Sequence, residues 1–411
     1  MAESVVKSYF PSQVVSDAEK ISYDYGLKVA KAIETEWFYN DRSTGRYENN
    51  VNDFHNLRLY ARGEQSVKKY KDELSINGDL SYLNLDWTPV PIIPKFVDIV
   101  VNGIAERAYS IKAYSQDPYG VAKRTEYMES ILGDMAAKEM NDFADKEFGI
   151  NLYENDPQTL PETQEELDLH MQMTYKQSVE IAEEQALSVL MQGNNYDLIK
   201  RQFYYDLTVL GIGAVKTSFN TSEGVVIDYV DPANLVYSYT ESPYFEDIYY
   251  VGEVKTIPVN ELAKQFPHLS QQDLEEIQSK GSNYSYNRNR GGGYSDSNDP
   301  NKVQVLYFNY KTYMNEVYKV KETGSGAEKL IEKDDEFEPP ADAEGNFSKL
   351  QRSMILGTNK LVKWEMAKNM MRPKSNFTKV KMNYSIVAPR MYKGKIESLV
   401  KRITGFADMI Q

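Results

Sequence analysis

Residue types that carry much of protein chemistry are scarce or missing in this chain of 411 residues. It has no cysteine, which excludes disulfide bonds, thiolate zinc sites and cysteine nucleophiles. It has three histidines, His55, His170 and His268, and none has a second histidine at a metal-ligand spacing. A zinc site built on histidine is therefore not expected, and a Ser-His-Asp triad would have to use one of these three.

Nucleotide-binding and hydrolase motifs are also missing. The sequence has no G-x-x-x-x-G-K-[ST] loop, no G-x-S-x-G elbow and no H-E-x-x-H helix. Gly211 and Gly213 resemble part of a glycine-rich loop, but the order is helix then strand, which favours a tight turn. Acidic pairs such as Glu183-Glu184 arise by chance among 61 acidic residues and are interpreted as solvated surface. We therefore predict no catalytic residue, metal or cofactor, and a protein that is not an enzyme.

Long apolar runs are missing as well. The longest, Val90 to Ala105, is interrupted by two prolines, a lysine and an aspartate, so it is too short and too polar to span a bilayer. Residues 1–16 lack the apolar region and the cleavage site of a signal peptide. We expect a soluble protein that stays in a cytoplasm and has no membrane partner.

Charge is distributed unevenly along the chain. The net charge is −14, which argues against a protein whose main task is to grip nucleic acid. Residues 351–411 nevertheless contain 13 Lys and Arg against 3 Asp and Glu, a net charge of +10. Residues 1–350 then carry a net charge of −24. Such asymmetry indicates two electrostatic environments, the simplest being a basic surface that faces an acidic neighbour.

Apolar periodicity predicts a helical first half and strands from about residue 213. Helices are predicted at 17–37, 93–104, 119–150, 174–192, 197–210, 258–266 and 270–278. Strands are predicted at 108–114, 214–219, 225–230, 247–255, 303–320 and 361–366. The low-complexity segments 281–301 and 321–345 are predicted to be mobile loops, and 154–166 an exposed loop.

The last residues form an amphipathic pattern. Ile396, Leu399, Val400 and Ile403 begin a helical apolar stripe that continues to Ile410. No capping residue or terminator follows it, so we expect the natural protein to be longer.

The order of several short motifs resembles one protein family. A proline-rich segment leads into a helix, a helical pair ends in a Gly-x-Gly turn before a strand, and a basic segment leads into the last helix. In chain order these stretches are Trp87 to Pro94, Asn102-Gly103, Leu207 to Lys216, Tyr229 to Asn234, Tyr244 to Glu253, Val259 to Leu262 and Ala388 to Lys395. Together they resemble the portal proteins of tailed bacteriophages and are most similar to those of the crAss-like phages of gut Bacteroidales. The resemblance covers about residues 20 to 411.

The resemblance implies an α+β portal fold with a helical wing, stem helices and a small β-containing clip. Residues 1–255 correspond to the wing. Residues 256–390 correspond to the first stem element and the clip, which contain both predicted mobile loops. Residues 391–411 correspond to the start of the second stem helix. The tunnel loop and crown of the family would lie beyond residue 411, which is a departure from the family pattern.

The resemblance also implies a structural function. Twelve copies would form a ring at one vertex of the capsid, and double-stranded DNA would enter and leave through its channel without sequence preference. The ring would contact the major capsid protein and dock the terminase and the head-tail adaptor or neck proteins. It would be found in the virion, and in the host cytoplasm during assembly. The packaging ATPase of the family is a separate protein, which agrees with the missing P-loop.

Basic residues near the C-terminus are candidates for two surfaces under this interpretation. The DNA-channel candidates, which the resemblance places at the second stem helix, are Lys393, Lys395, Lys401 and Arg402. The candidates for the docking surface of the clip are Trp364, Arg372, Lys374, Lys379 and Lys381. A continuous basic lining would hold DNA through counterion release, so an acidic body with few cations agrees with a channel in which DNA slides. Alternatively, these cations form salt bridges with the acidic wings of neighbouring subunits.

Two rival functions remain open. Another head or neck component, an adaptor or a scaffold, would share the composition but should lack the long helical wing. A metal-dependent hydrolase built on the acidic pairs would gather carboxylates in a pocket and would lose activity on chelation.

Overall fold

The computed structural model describes most of the chain in fifteen segments. They are residues 9–38, 46–75, 87–106, 111–114, 118–150, 152–156, 159–173, 178–220, 224–281, 301–313, 318–322, 328–332, 347–355, 361–367 and 380–410. The chain divides into two compact units. Unit 1 comprises Met1–Arg107, Asn194–Glu316 and Glu338–Gln411, and unit 2 comprises Ala108–Gly193 and Val317–Phe337.

The described residues form both helices and strands, so the predicted α+β class is confirmed. The helices are α1 (Asp17–Ile21), α2 (Tyr23–Phe38), α3 (Arg46–Arg62), α4 (Lys68–Leu74), α5 (Ile93–Ala105), α6 (Pro118–Ala136), α7 (Lys138–Phe148), α8 (Gln164–Met173), α9 (Ser178–Gly193), α10 (Tyr196–Val209), α11 (Val259–Gln265), α12 (Gln271–Gly281) and α13 (Leu399–Ile410). The strands are β1 (Gly213–Asn220), β2 (Gly224–Val230), β3 (Leu235–Tyr237), β4 (Tyr250–Pro258), β5 (Lys302–Tyr313), β6 (Tyr318–Glu322), β7 (Glu328–Glu332), β8 (Phe347–Ile355), β9 (Leu361–Met366), β10 (Tyr384–Val387), β11 (Met391–Tyr392) and β12 (Lys395–Ile396).

Two antiparallel sheets organise unit 1. The larger has the strand order β3-β4-β5-β8-β9, with Tyr250 of β4 opposite Tyr310 of β5. The smaller has the order β10-β1-β2, and Ala214 of its central strand lies between Val230 and Ile386. Strand β10 comes from the C-terminal part of the chain, so this sheet joins residues that are far apart in sequence. A β11–β12 hairpin follows it directly.

Helix α2 covers an aromatic part of the main core of unit 1. Val29, Ile33 and Trp37 recur every four residues on one face of the helix and are fully buried. The indole Nε1 of Trp37 donates to the Tyr250 hydroxyl at 2.9 Å, and that hydroxyl donates to Glu36 at 2.7 Å. The buried indole N–H and the buried hydroxyl thus both have hydrogen-bond partners, as is usual for polar atoms of buried aromatic side chains.

Unit 2 contains helices α6 to α9 and the β6–β7 hairpin. Its described core is small, because only Ile131, Leu167 and Met171 are buried together. Asp134 of α6 adds a polar anchor, since its carboxylate accepts hydrogen bonds from the backbone N–H groups of Glu154 and Asn155. These bonds fix the segment after α7 to α6.

Several predicted elements differ from the observed ones. The predicted helix 119–150 is two helices that meet at Ala137, where neither proline nor glycine marks the break. The predicted strand 108–114 is not a strand at its described residues 111–114, and α8 begins inside the predicted loop 154–166. The predicted loop 321–345 contains β7, whose pairing with β6 the local composition did not indicate. Residues 282–300 of the other predicted loop lie outside the described residues.

The last helix is shorter than predicted. Ile396 matches its apolar spacing but lies in β12, opposite Met391. Strand pairing thus replaces the helical turn that the pattern predicted, and the helix begins at Leu399. The division into wing, stem and clip stays a prediction.

Candidate functional site

A tight hairpin, formed by β11 and β12, lies within the basic segment near the C-terminus. Lys393 and Gly394 join β11 to β12, and both have positive φ values, 48° and 72°. Two successive left-handed residues are the conformation of a type I′ turn, whose twist matches that of paired strands. The positive φ at residue 394 favours glycine, and a Cβ there would also lie 2.8 Å from the Cε2 of Tyr239, whose exposed ring would have to move. The Glu397 N–H donates to the Arg390 carbonyl and closes the base of the hairpin.

This hairpin presents an aromatic ring between two cations. Tyr392 is 74% exposed, and Lys395 is its partner across the strands. The Lys393 Nζ lies 5.5 Å from the centroid of the Tyr392 ring, within the range of a cation–π contact. Both lysines are exposed.

Helix α13 carries the other two predicted channel residues, Lys401 and Arg402, on its exposed side. Ser398 is the N-cap of this helix, because its Oγ accepts a hydrogen bond from the Lys401 N–H at 2.9 Å. Val400 is buried in the main core on the opposite side. Near the other end, the Asp408 carboxylate accepts from the hydroxyls of Tyr60 and Tyr70, which fastens α13 to α3 and α4.

The four DNA-channel candidates therefore lie within one short segment of unit 1, but on two different elements. Lys393 and Lys395 lie on the hairpin and not on a helix, which corrects the predicted helical position of these two residues. Within the described part of the chain, none of the four makes a salt bridge. Their charges are available to a partner outside the described chain.

The candidates for clip docking are placed less uniformly. Trp364 is half-buried in β9, its Nε1 donates to the Lys20 carbonyl at 3.1 Å, and its ring lies 6.2 Å from that of Tyr25. It therefore binds the first helices to the larger sheet. Lys381 is exposed. The remaining candidates lie outside the described residues: Arg372, Lys374 and Lys379. Docking by this surface stays a prediction.

Sequence reasoning missed a charge cluster around the buried Asp206 in unit 1. Arg58 of α3 donates to both carboxylate oxygens of Asp231, at 2.7 and 3.1 Å, and approaches Asp206 of α10 at 3.4 Å. Asp206 is 2% exposed and also accepts from the Tyr229 hydroxyl. Asp231 in turn caps the 3₁₀ turn Pro232–Asn234 by accepting from the Ala233 N–H. The cluster joins α3, α10 and β2.

Burial dominates the ionisation of this cluster. It raises the pKa of Asp206 to about 6, although the Tyr229 hydroxyl and the Arg58 guanidinium oppose the shift. Burial alone would lower the pKa of Arg58, but its hydrogen bond to Asp231 and the two carboxylate charges outweigh it and raise that pKa. Arg58 thus stays charged, while Asp206 titrates in the mildly acidic range.

A cleft of about 710 Å³ lies beside the cluster. Its walls add Asp98 and Asn102 from α5, and Arg201 and Tyr205 from α10. The Arg201 guanidinium donates to the Asn102 side chain at 2.8 Å, so a hydrogen bond joins α10 to α5 in the wall of the cleft. Carboxylates and guanidinium groups neutralise each other here, which suits a structural joint better than catalysis. Two of the short motifs in the sequence lie at this place, Asn102-Gly103 and Tyr229 to Asn234, but neither indicated a charge cluster.

A second missed joint connects the two sheets of unit 1. Glu253 of β4 is buried and lies 2.7 Å from the Lys216 Nζ of β1. The Tyr384 hydroxyl of β10 donates to the same carboxylate, and burial raises the pKa of Tyr384 well above its usual value. Residues distant in sequence meet here, so no local pattern could identify the pair.

Two helices of unit 2 expose apolar side chains and bury polar ones. Helix α7 buries Asn141 but exposes Phe143, and α9 buries Glu180 but exposes Ile181. Among the described residues of unit 2, the exposed large apolar side chains are Tyr114, Tyr119, Val121, Leu132, Met140, Phe143, Phe148, Ile150, Leu152, Leu169, Val179, Ile181, Leu187 and Val189. They outnumber the three apolar residues of its described core.

Neither a metal site nor a membrane span is found in the described segments. No three side chains of His, Cys, Asp or Glu gather there as metal ligands would. None of the helices there has the length and apolarity needed to cross a bilayer. No protein-family model matches the chain, and no curated protein matches it.

Proposed function

We propose that this protein is a portal subunit of a tailed bacteriophage. Twelve copies form a ring at one vertex of the capsid, through which the genome is packaged and ejected. The ring contacts the major capsid protein and serves as the docking platform for terminase and for the head-tail adaptor. It acts as a structural channel without covalent chemistry, in the host cytoplasm during assembly and then in the virion. The motif order from Trp87 to Lys395 supports this particular family.

The observation that carries the assembly part of the proposal is the surface of unit 2. Large exposed apolar patches in a protein mark surfaces that a partner covers. The described residues of unit 2 include 14 exposed large apolar side chains beside a core of three buried ones. Such a surface favours a subunit that reaches its stable state in an assembly over a protein that acts as a monomer.

The cations of α13 support a channel role. Lys401 and Arg402 are exposed and have no salt bridge within the described residues. Each bound phosphate adds affinity by releasing counterions, so a few cations steer DNA whereas many would hold it. Two cations per subunit on an otherwise acidic chain agree with DNA that slides.

Negative-stain electron microscopy of the protein expressed from its full reading frame tests the proposal. We expect rings with twelve-fold symmetry and a central hole, and twelve copies of the 47.2 kDa chain have a mass of about 566 kDa. Uniform monomers or dimers, also in the presence of capsid protein, would contradict the proposal. They would favour the alternative of an adaptor or scaffold protein.

A charge reversal tests the channel role separately. The double variant Lys401→Glu/Arg402→Glu should form normal rings but package DNA abnormally. Lys264→Glu, on an exposed lysine of α11, is the matched control and should change neither. If the double variant packages normally and its rings assemble poorly, these cations serve the contact between subunits and not DNA.

A further inference from the structure

The exposed hairpin and helix α7 carry complementary surfaces. The hairpin is the segment Arg390 to Glu397, which contains Arg390, Lys393, Lys395 and one acidic residue, a net charge of +2. Helix α7 contains four acidic residues and two lysines, a net charge of −2. Each surface also presents an exposed aromatic ring, Tyr392 on the hairpin and Phe143 on α7.

The arrangement on α7 is regular. Glu139, Phe143 and Glu147 are spaced by four residues, so they lie on one face of the helix, one turn apart. All three are exposed, and neither glutamate makes a salt bridge within the described segments. Met140 and Phe148 extend the apolar surface and are 66% and 69% exposed. The face is therefore an aromatic ring with a free carboxylate above and below it.

The arrangement on the hairpin is the counterpart of this face. Tyr392 lies between Lys393, which approaches its ring, and Lys395, its partner across the strands. The turn is held by the left-handed Gly394 against Tyr239, so these three side chains are presented by a tight turn closed at its base. A rigid aromatic group loses little entropy on docking, and tyrosine is enriched at the centres of interfaces.

We infer that the hairpin of one copy docks on α7 of a second copy of this chain, with Tyr392 on Phe143 and the two lysines on Glu139 and Glu147. This inference rests on the proposed homo-oligomeric function. In the ring proposed above, the hairpin of each copy docks on α7 of the next copy, which is a heterologous contact, the kind from which closed rings are built. It assigns Lys393 and Lys395 to the neighbouring subunit and leaves the channel role to Lys401 and Arg402.

Charge reversal and charge exchange give the first test. Lys393→Glu/Lys395→Glu, and separately Glu139→Lys/Glu147→Lys, should each raise the concentration for half-assembly about tenfold or more, measured by mass photometry. The variant that carries all four changes should assemble like the wild type, which also shows that the changes leave the fold intact. Lys264→Glu and Glu129→Lys, on exposed residues of other helices, are the controls and should have no effect.

Disulfide trapping gives the second test, since the natural chain has no cysteine. A mixture of Lys395→Cys with Glu139→Cys or Glu147→Cys chains should form a dimer under mild oxidation, whereas Lys264→Cys with the same partners should not. A chain that carries both Lys395→Cys and Glu139→Cys should form no internal disulfide when the protein is dilute. An internal disulfide would overturn the inference, because the hairpin would then meet its own α7.

The outcomes separate the inference from the proposed function. The inference would be overturned if the wild type forms rings, the charge-reversal variants assemble equally well and no trapped dimer appears. The proposed portal function would then still stand. A wild-type chain that does not assemble, together with cysteine variants that form no trapped dimer, would overturn both.

Discussion

Unit 1 and unit 2 differ in what their helices bury. In unit 1, α2 buries Val29, Ile33 and Trp37 in the main core, although Glu34 of the same helix is buried too. In unit 2, α7 buries Asn141 and turns Phe143 to solvent. The apolar face of α2 packs into the main core, whereas the ring contact of Phe143 in the described chain is with the exposed Phe148 of its own helix. An apolar stripe indicates that a face is to be covered, and it does not indicate whether the same chain covers it.

The two units also differ in how charge is buried. Unit 1 encloses Arg58 between Asp206 and Asp231, and Lys216 against Glu253, at places where its helices and sheets meet. In unit 2, the buried carboxylate of Asp134 is bonded to backbone N–H groups instead. Unit 1 thus has the larger described core and the ion pairs, and the completion of unit 2 by an assembly stays a proposal.

Cavity-forming substitutions should separate the two units most strongly. Trp37→Ala removes a buried ring and its hydrogen bond, and should cost about 3 to 5 kcal/mol of unfolding free energy in unit 1. Ile131→Ala should cost about 2 to 4 kcal/mol and loosen unit 2 alone. In urea unfolding, tryptophan fluorescence reports on unit 1, which contains all three tryptophans, and limited proteolysis reports on unit 2. Loss of both units in the Ile131→Ala variant would contradict their independence.

Removal of one partner from the buried cluster should have the next largest effect. Arg58→Ala leaves Asp206 buried without its cation, and should cost about 2 to 3 kcal/mol. Arg62→Ala is the matched control, because Arg62 lies on the same helix in an exposed pair with Glu64, and should cost less than about 0.5 kcal/mol. Equal losses in chemical denaturation would show that the cluster does not hold α3 to α10.

The elevated pKa of Asp206 predicts a smaller, pH-dependent effect. Its pKa is about 6 in the folded chain against a usual 3.8, so the folded state binds this proton more tightly than the unfolded state. Stability from this group is present below the usual pKa and is lost as the pH rises through about 6. We expect it to contribute about 1 kcal/mol more at pH 5 than at pH 7. Asp206→Asn should remove that difference from the pH profile of the unfolding free energy, and a profile identical to that of the wild type would contradict the assignment.

The smallest effect on stability should come from the exposed face of unit 2. Phe143→Ser removes a ring that is 60% exposed, so it should change the unfolding free energy by less than about 0.5 kcal/mol. It should nevertheless weaken assembly in sedimentation velocity, because in its own chain the ring contacts only the exposed ring of Phe148 among the described rings, and the proposed assembly would cover it. Tyr244→Ser, on an equally exposed ring of unit 1, is the control and should assemble normally. A destabilised Phe143→Ser monomer would show that the ring already packs within its own chain.

Local patterns in the sequence predicted part of this fold well. The stripe that includes Ile93, Val97 and Val101 predicted α5 at 93–104, and the helix spans Ile93–Ala105. Strand β9 was predicted with its observed bounds, and strands begin at Gly213 as expected. In these elements the residue propensities, the apolar period and the flanking turn residues all indicate the same structure. Tertiary contacts therefore did not change it.

The rest depends on contacts between distant residues. Ile396 has helical spacing, but its pairing with Met391 across a type I′ turn makes it a strand residue. The partners of Arg58 lie 148 and 173 residues away along the chain, so no window of sequence could reveal the cluster. The excess of cations in residues 351–411 was visible in the sequence. Their separation onto a hairpin and a helix was not, because spacing alone gives no strand register.

Hydrogen–deuterium exchange on the separated fractions of the purified protein tests the central claim most directly. We expect α6 to α9 to exchange slowly in the high-mass fraction and fast in the dissociated chain, because their apolar faces are covered only in the assembly. The strands of unit 1 should exchange equally slowly in both fractions. Equal protection of α6 to α9 in both fractions would contradict the account, since unit 2 would then be complete without a partner.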